Sequence, residues 1–163
     1  MKMLQDFSTA VEVIAYQGES RGSSVAIEPA PGTANPALVL RIAEHHTTLH
    51  EANLPKGELL SGAAEVTLRA KLTGAVQAWG IALRVLDDQD RTVQFVHKGV
   101  PGTDWSTIAF TVTPGGSNDG AWGGPGSGPL SGSWRVLGLA FMTNDHDGTG
   151  ELWIDDLSYR STP

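Results

Sequence analysis

The chain has 163 residues, 40% of them hydrophobic, with a formal net charge of -7 and no cysteine. That length and apolar content suit one globular domain with a substantial core and exclude a disordered chain. The acidic balance argues against a nucleic-acid backbone or an anionic membrane as partner, and the missing cysteines remove disulfide and thiol chemistry.

The opening MKMLQDFS has no signal-peptide core, so an export signal is expected upstream, in a longer parent chain. No apolar run approaches the roughly 18 residues of a membrane-spanning helix. Helical periodicity is almost absent. Alternating segments bounded by Gly, Pro, Asn and Asp predict strands near 3–7, 11–16, 23–28, 37–43, 63–72, 77–86, 92–98, 106–112, 134–142 and 151–159. Residues 84–96, RVLDDQDRTVQFV, form the clearest hairpin, with a polar turn from Asp87 to Arg91. Residues 114–133, PGGSNDGAWGGPGSGPLSGS, are of low complexity and predict a long surface loop. A further turn at 144–150, NDHDGTG, feeds the last strand. With no repeat and no linker, residues 1–163 are read as a single all-β domain, a β-sandwich or jelly roll of two antiparallel sheets.

Alternation assigns faces. Trp79, Ile81, Leu83 and Val85 belong to the core, with Ala78, Gly80, Ala82 and Arg84 on the opposite face, where the small residues leave a trough. The same rule turns Thr67, Arg69 and Lys71 outward from 65–72, and Thr92, Gln94 and Val96 outward from 92–98. Arg69, Lys71, Arg84 and Gln94 are therefore expected to share one polar sheet face.

Catalytic signatures are missing: no nucleophile elbow, P-loop, dinucleotide fingerprint or HExxH zinc motif occurs. In EHHTTLHE (44–51), His46 and His50 would share one side of a helix, but the segment follows the strand ALVLRIA and precedes NLP. A polar loop, able to touch a ligand through His45 and His46, is expected instead of a zinc site. The acidic pair Asp87/Asp88 falls in a turn. The match of 145–156 to a calcium loop places its glycine wrongly and lacks flanking helices. The pair Asp155/Asp156 interrupts the apolar run GELWIDDLSY. Neighbours on a strand face opposite ways, so one of the two should point inward and need a partner. Neither pair has the geometry of a glycosidase acid and base flanking a sugar bond.

The ordered set of MLQDFS at the start, GTDWSTIAFTV at 102–112 and GTGELWIDDLSY at 148–159 resembles the galactose-binding-like β-jelly-roll carbohydrate-binding modules. The resemblance implies a structural calcium ion tying the N-terminal region to the last strand. Asp6 and one of Asp155 and Asp156 would be its side-chain ligands, completed by loop carbonyls. Ser8 departs from the Glu of many members, with Glu19 or Glu28 as substitutes; the metal-free alternative has the inward Asp bound by backbone N–H groups.

The resemblance also implies non-catalytic binding of a plant, algal or microbial polysaccharide, β-glucan-like or uronic-acid-containing. Such a module, secreted or at the cell surface and monomeric, holds the catalytic domain of a parent glycoside hydrolase or lyase near its substrate. Sugar sites pair an aromatic face with polar side chains. Among five tryptophans, Trp79 is assigned to the core, Trp105 to a structural position and Trp134 to a buried strand, with the side of Trp153 open. Trp122 stands alone in the Gly-rich loop and is the candidate platform. Two sites are open: a sheet-face trough of Arg84, Gln94, Arg69 and Lys71, or a loop-end site around Trp122, His45 and His46. The rival readings are an accessory β-sandwich without sugar affinity and a small jelly-roll lyase or hydrolase.

Overall fold

The computed structural model describes residues 1–7, 14–15, 23–43, 49–144 and 148–163. Within them the strands are β1 (Lys2–Gln5), β2 (Ile14–Ala15), β3 (Ser23–Pro29), β4 (Pro36–Ile42), β5 (Leu49–Asn53), β6 (Leu60–Ser61) and β7 (Ala64–Gly74). They continue with β8 (Ala78–Asp87), β9 (Arg91–Lys98), β10 (Ser106–Val112), β11 (Ala121–Gly123), β12 (Ser133–Thr143) and β13 (Gly150–Ser161). The described residues contain no helix. The first sheet runs β10-β7-β13-β4-β3, with β1 paired to β13; the second runs β11-β9-β8-β12-β5-β2, with β6 paired to β12. All these pairings are antiparallel. The expected two-sheet β-sandwich is the architecture found.

Alternation builds the core between the sheets. In β10, Ile108, Phe110 and Val112 are buried while Thr107, Ala109 and Thr111 are exposed. Leu68 from β7, Leu40 from β4 and Ile154 from β13 meet Ile81 and Leu83 from β8, and Trp134 and Phe141 from β12. Each such side chain contributes about 1.5–3 kcal/mol by leaving water. Trp134 is buried as expected, and its indole N–H donates to the Gly62 carbonyl at 3.1 Å.

Two β-bulges overturn expectations drawn from strict alternation. Between β12 and β8 the register passes from Met142↔Gly80 to Thr143↔Ala78, so Trp79 is an extra residue. Ala78 takes the place against the core, and Trp79, assigned to the core from sequence, is 46% exposed. Between β13 and β7 the register passes from Asp155↔Arg69 to Ser158↔Thr67, so Asp156 and Leu157 together oppose Leu68. Asp156 adopts a left-handed φ of 51°. The phase thereby shifts by one residue: Leu152 and Ile154 face the core before the bulge and Leu157 after it. Neither carboxylate of Asp155 and Asp156 enters the apolar core, which corrects the expectation that one of them would.

Left-handed backbone is tolerated by Asp but not by β-branched residues. Asp156→Val is therefore expected to cost about 1–2 kcal/mol in urea unfolding, whereas Asp156→Gly should cost much less. Equal losses for the two variants would show that the bulge carries no backbone strain.

The candidate sugar-binding face

The outer face of the second sheet contains the trough expected from sequence. Cross-strand pairs set Gly80 opposite Met142, Ala82 opposite Ala140 and Arg84 opposite Gly138. Ala82, Ala140 and Met142 form an apolar cluster on this face, joined by Leu49 of β5 and Val96 of β9 and separate from the main core. From Gly80 to Leu86 the floor spans roughly 20 Å at about 3.3 Å per residue step.

Arg84 stands in the middle of this floor. Its Nε donates to Gln94 Oε1 at 2.9 Å, and its Nη1 pairs with Glu51 Oε1. Its guanidinium lies over the Trp122 ring, 4.9 Å from the centroid. The Arg84 and Glu51 side chains are only 12% and 9% exposed. Gln94 gives its carbonyl oxygen to Arg84, so the amide NH2 is the donor end of the side chain. Trp122, on β11 opposite Thr92 of β9, is 42% exposed and has the Arg84 cation against one face of its ring. The face thus offers a wide indole plane beside a narrow apolar floor with polar groups at its centre.

The structure separates residues that the sequence placed together. Arg69 and Lys71 lie on β7 in the first sheet, so they cannot share a face with Arg84 and Gln94 on β8 and β9 of the second. Alternation fixes which way a residue points from its own sheet. It does not say which sheet a strand joins, and the chain changes sheets between β7 and β8. Arg69 and Lys71 instead flank the ring of Trp105 at 5.2 and 5.9 Å, in a shallow cleft of about 380 Å³ lined also by Asn35 and Asp155. His45 and His46 lie outside the described residues.

Glu51 is the site residue the sequence reading missed. It lies in EHHTTLHE (44–51), which the sequence reads as a polar loop between ALVLRIA and NLP. Its own segment, LHEAN, is β5, with His50 opposite the core residue Phe141 and Ala52 opposite Leu139. The signal was the short alternation of Leu49, Glu51 and Asn53 against His50 and Ala52. Trp153, left open from sequence, lies buried on the outer side of the first sheet with Ala30, Ala37 and Val39, beneath the Arg41 guanidinium at 5.8 Å.

At the β13 bulge, the Asp156 N–H donates to Asp155 Oδ1 at 2.8 Å, and the Asp156 carboxylate pairs with Arg69 at 3.4 Å. Burial pushes the Asp155 carboxyl above its usual range. The N–H bond and Arg69 oppose this, while the charges of Asp156 and Asp6 add to it. Asp6 comes to this place because Gln5 of β1 pairs with Leu157 of β13. Among the described residues, no three His, Cys, Asp or Glu side chains converge closely enough to hold a metal by themselves.

Solved structures share this architecture. Part of an exo-β-agarase superposes with a TM-score of 0.67 at 14% identity, covering 100% of this chain and 25% of that one. The family 11 carbohydrate-binding module from Clostridium thermocellum, solved in complex with a β-1,3-1,4-mixed-linked tetrasaccharide, gives a TM-score of 0.63 at 17% identity. It covers 99% of this chain and 95% of its own. A family 30 carbohydrate-binding module of a cellulosomal cellulase from the same organism gives 0.58 at 15% identity, covering 99% and 98%. No family model and no curated protein sequence matches the chain. At these identities the likeness establishes the fold: the chain is a β-sandwich jelly roll of the kind that carbohydrate-binding modules have.

Proposed function

We propose that the chain is a non-catalytic module that binds a polysaccharide along the outer face of its second sheet. The observation that carries this reading is Trp122, exposed on a cation anchor beside a floor of glycine and alanine. An indole face takes the C–H-rich side of a sugar ring, and the Gln94 amide and the Arg84–Glu51 pair take hydroxyls. The trough is long enough for several sugar rings, which suits a β-glucan-like chain. The neutralised Arg84 and the transfer of Arg69 and Lys71 to the other sheet remove the charge that favoured a uronic-acid-containing glycan. The architecture shared with modules of polysaccharide-degrading enzymes supports an extracellular setting, with an attached catalytic domain supplying the chemistry.

Hydrolysis finds no support on this face. Glycoside hydrolases use two carboxylates set across the scissile bond. Here Glu51 is tied to Arg84, and the outward residues of β8, β9 and β12 among Gly80–Arg84, Thr92–Val96 and Gly138–Met142 include no second carboxylate. Affinity electrophoresis of the native protein in gels containing mixed-linked β-glucan, other β-glucans, galactan, agarose and polyuronate tests the reading. Retardation by a neutral glycan is expected. Migration unchanged in every gel would leave the accessory-domain reading, and release of reducing ends or unsaturated products would overturn the non-catalytic one.

A structural calcium is proposed at Asp155 and Asp6, with Asp156 paired to Arg69. The Asp155 carboxyl is raised mainly by burial and further by the charges of Asp156 and Asp6; a divalent cation there would offset that repulsion and complete its shell from backbone carbonyls. A cation bound only by the folded chain must stabilise it, by about 2.7 kcal/mol at a hundredfold excess over Kd. EDTA is therefore expected to lower the midpoint of thermal unfolding by several degrees, with recovery on adding excess Ca²⁺. An unchanged midpoint would remove the ion from the account.

A further inference from the structure

The turn between β8 and β9 contains a charge pair whose side chains are 0% exposed at Asp87 and 5% at Arg91. Asp87 Oδ2 accepts Arg91 Nε at 3.0 Å and Nη2 at 2.8 Å, and Oδ1 accepts the backbone N–H groups of Gln89 and Arg91, each at 3.0 Å. The guanidinium goes further: Nη2 donates to the Pro129 carbonyl at 2.6 Å and Nη1 to the Ser127 carbonyl at 3.3 Å. Asp87 Oδ2 in addition accepts the Ser131 N–H at 3.3 Å. One ion pair therefore grips the C-terminal arm of the Gly-rich loop.

The other arm carries Trp122. It is laid on β9 through Gly123↔Arg91, Trp122↔Thr92 and Ala121↔Val93, with Asp119 N–H donating to Gln94 O at 2.8 Å. Between the arms the loop presses on the turn. Gly124 has φ 43°, and a Cβ there would collide with the Gln89 carbonyl. Its many glycines give the loop few side chains to bury and much conformational entropy to lose. A planar guanidinium fork aimed at two loop carbonyls, and held in place by a buried carboxylate, supplies the order that packing does not.

We propose that the Asp87–Arg91 pair is the positioning element of the Trp122 platform, acting on glycan affinity through the loop and without touching the sugar. This rests on the proposed function, but the placement of the indole is measurable without any glycan. The test uses the indole N–H signals in ¹H–¹⁵N spectra, with Trp122→Phe assigning the Trp122 signal. The Trp153 signal, from an indole buried on the first sheet and away from the turn, reports the intact fold. Arg91→Lys keeps the charge but loses the fork. Asp87→Leu/Arg91→Met removes both charges, a replacement that often leaves stability intact, and serves if the single variant does not fold.

In a folded variant the Trp122 signal is expected to move or broaden while that of Trp153 stays. The Kd for the β-1,3-1,4-mixed-linked tetrasaccharide should rise by about tenfold or more. A Trp122 signal and Kd that both match the native protein would overturn the proposal. If the native protein binds no glycan, the indole signal alone decides the positioning role, and the glycan reading falls separately.

Discussion

Asp87→Ala is expected to lower the unfolding free energy by about 3–5 kcal/mol, the cost of stranding a buried charge. The carboxylate accepts five hydrogen bonds in the structure, two from the Arg91 side chain and three from backbone N–H groups. Its loss leaves the Arg91 guanidinium buried with carbonyl partners alone. Burial by itself would push the Asp87 carboxyl up. The Arg91 side chain and the N–H groups of Arg91, Gln89 and Ser131 outweigh it and hold the carboxyl below its usual range. A carboxyl depressed in the folded state stabilises the fold above its unfolded pKa of about 3.9 and loses that contribution as pH falls through the folded value. Denaturant unfolding of the native protein should therefore show this contribution intact at pH 7 and eroding below about pH 4. In Asp87→Ala the stability at neutral pH falls, and the acid dependence flattens. An unchanged denaturation midpoint at pH 7 would show that the turn is held by its backbone bonds alone.

Arg84→Met carries the second large effect, and it reaches both stability and binding. Met preserves much of the aliphatic stem while removing the guanidinium from between Glu51, Gln94 and Trp122. Glu51 is 9% exposed, so the loss of its cation is expected to cost about 3 kcal/mol or more in urea unfolding. Trp122 loses the cation beneath its ring, and Gln94 is free to rotate its amide. Glycan affinity should fall by about 2 kcal/mol, near thirtyfold, as for other central interface residues. Replacing the pair, with Glu51→Gln added, should recover stability but not affinity, because the buried charge is gone while the guanidinium against the indole and Gln94 is still missing. Recovery of both would mean that Arg84 serves the fold only.

The fold was legible where alternation runs without interruption. In β7 and β10, and in the β8–β9 hairpin, the period-2 pattern gave strands, inward faces and turn in agreement with the structure. It failed at Trp79 and Asp156, where one inserted residue shifts the phase and exchanges core for surface. Asp at a bulge is compatible with left-handed backbone, but nothing in AWGIALR marks Trp79 as the extra residue. The site was partly legible. Gly80, Ala82 and Arg84 showed the trough, and the isolation of Trp122 in a glycine-rich loop showed a platform. What brings them together is long-range pairing: β11 on β9 and β5 on β12 place Trp122 and Glu51 around Arg84. The same ignorance of sheet membership put Arg69 and Lys71 on the wrong side of the sandwich. The GELWIDDLSY run illustrates both limits. Its two carboxylates read as one buried and one exposed, yet the bulge keeps both out of the apolar core, beside Arg69 and near Asp6.

The central claim is that sugar binds on the outer face of the second sheet, with Trp122 as its platform. Isothermal titration of the native protein, Trp122→Ala and Trp105→Ala with the glycan that retards the native protein tests it directly. Trp122→Ala is expected to lose about 2 kcal/mol or more of binding free energy while Trp105→Ala, altered beside Arg69 and Lys71 of the first sheet, binds as the native protein does. Undiminished binding by Trp122→Ala, or loss in Trp105→Ala alone, would contradict the account.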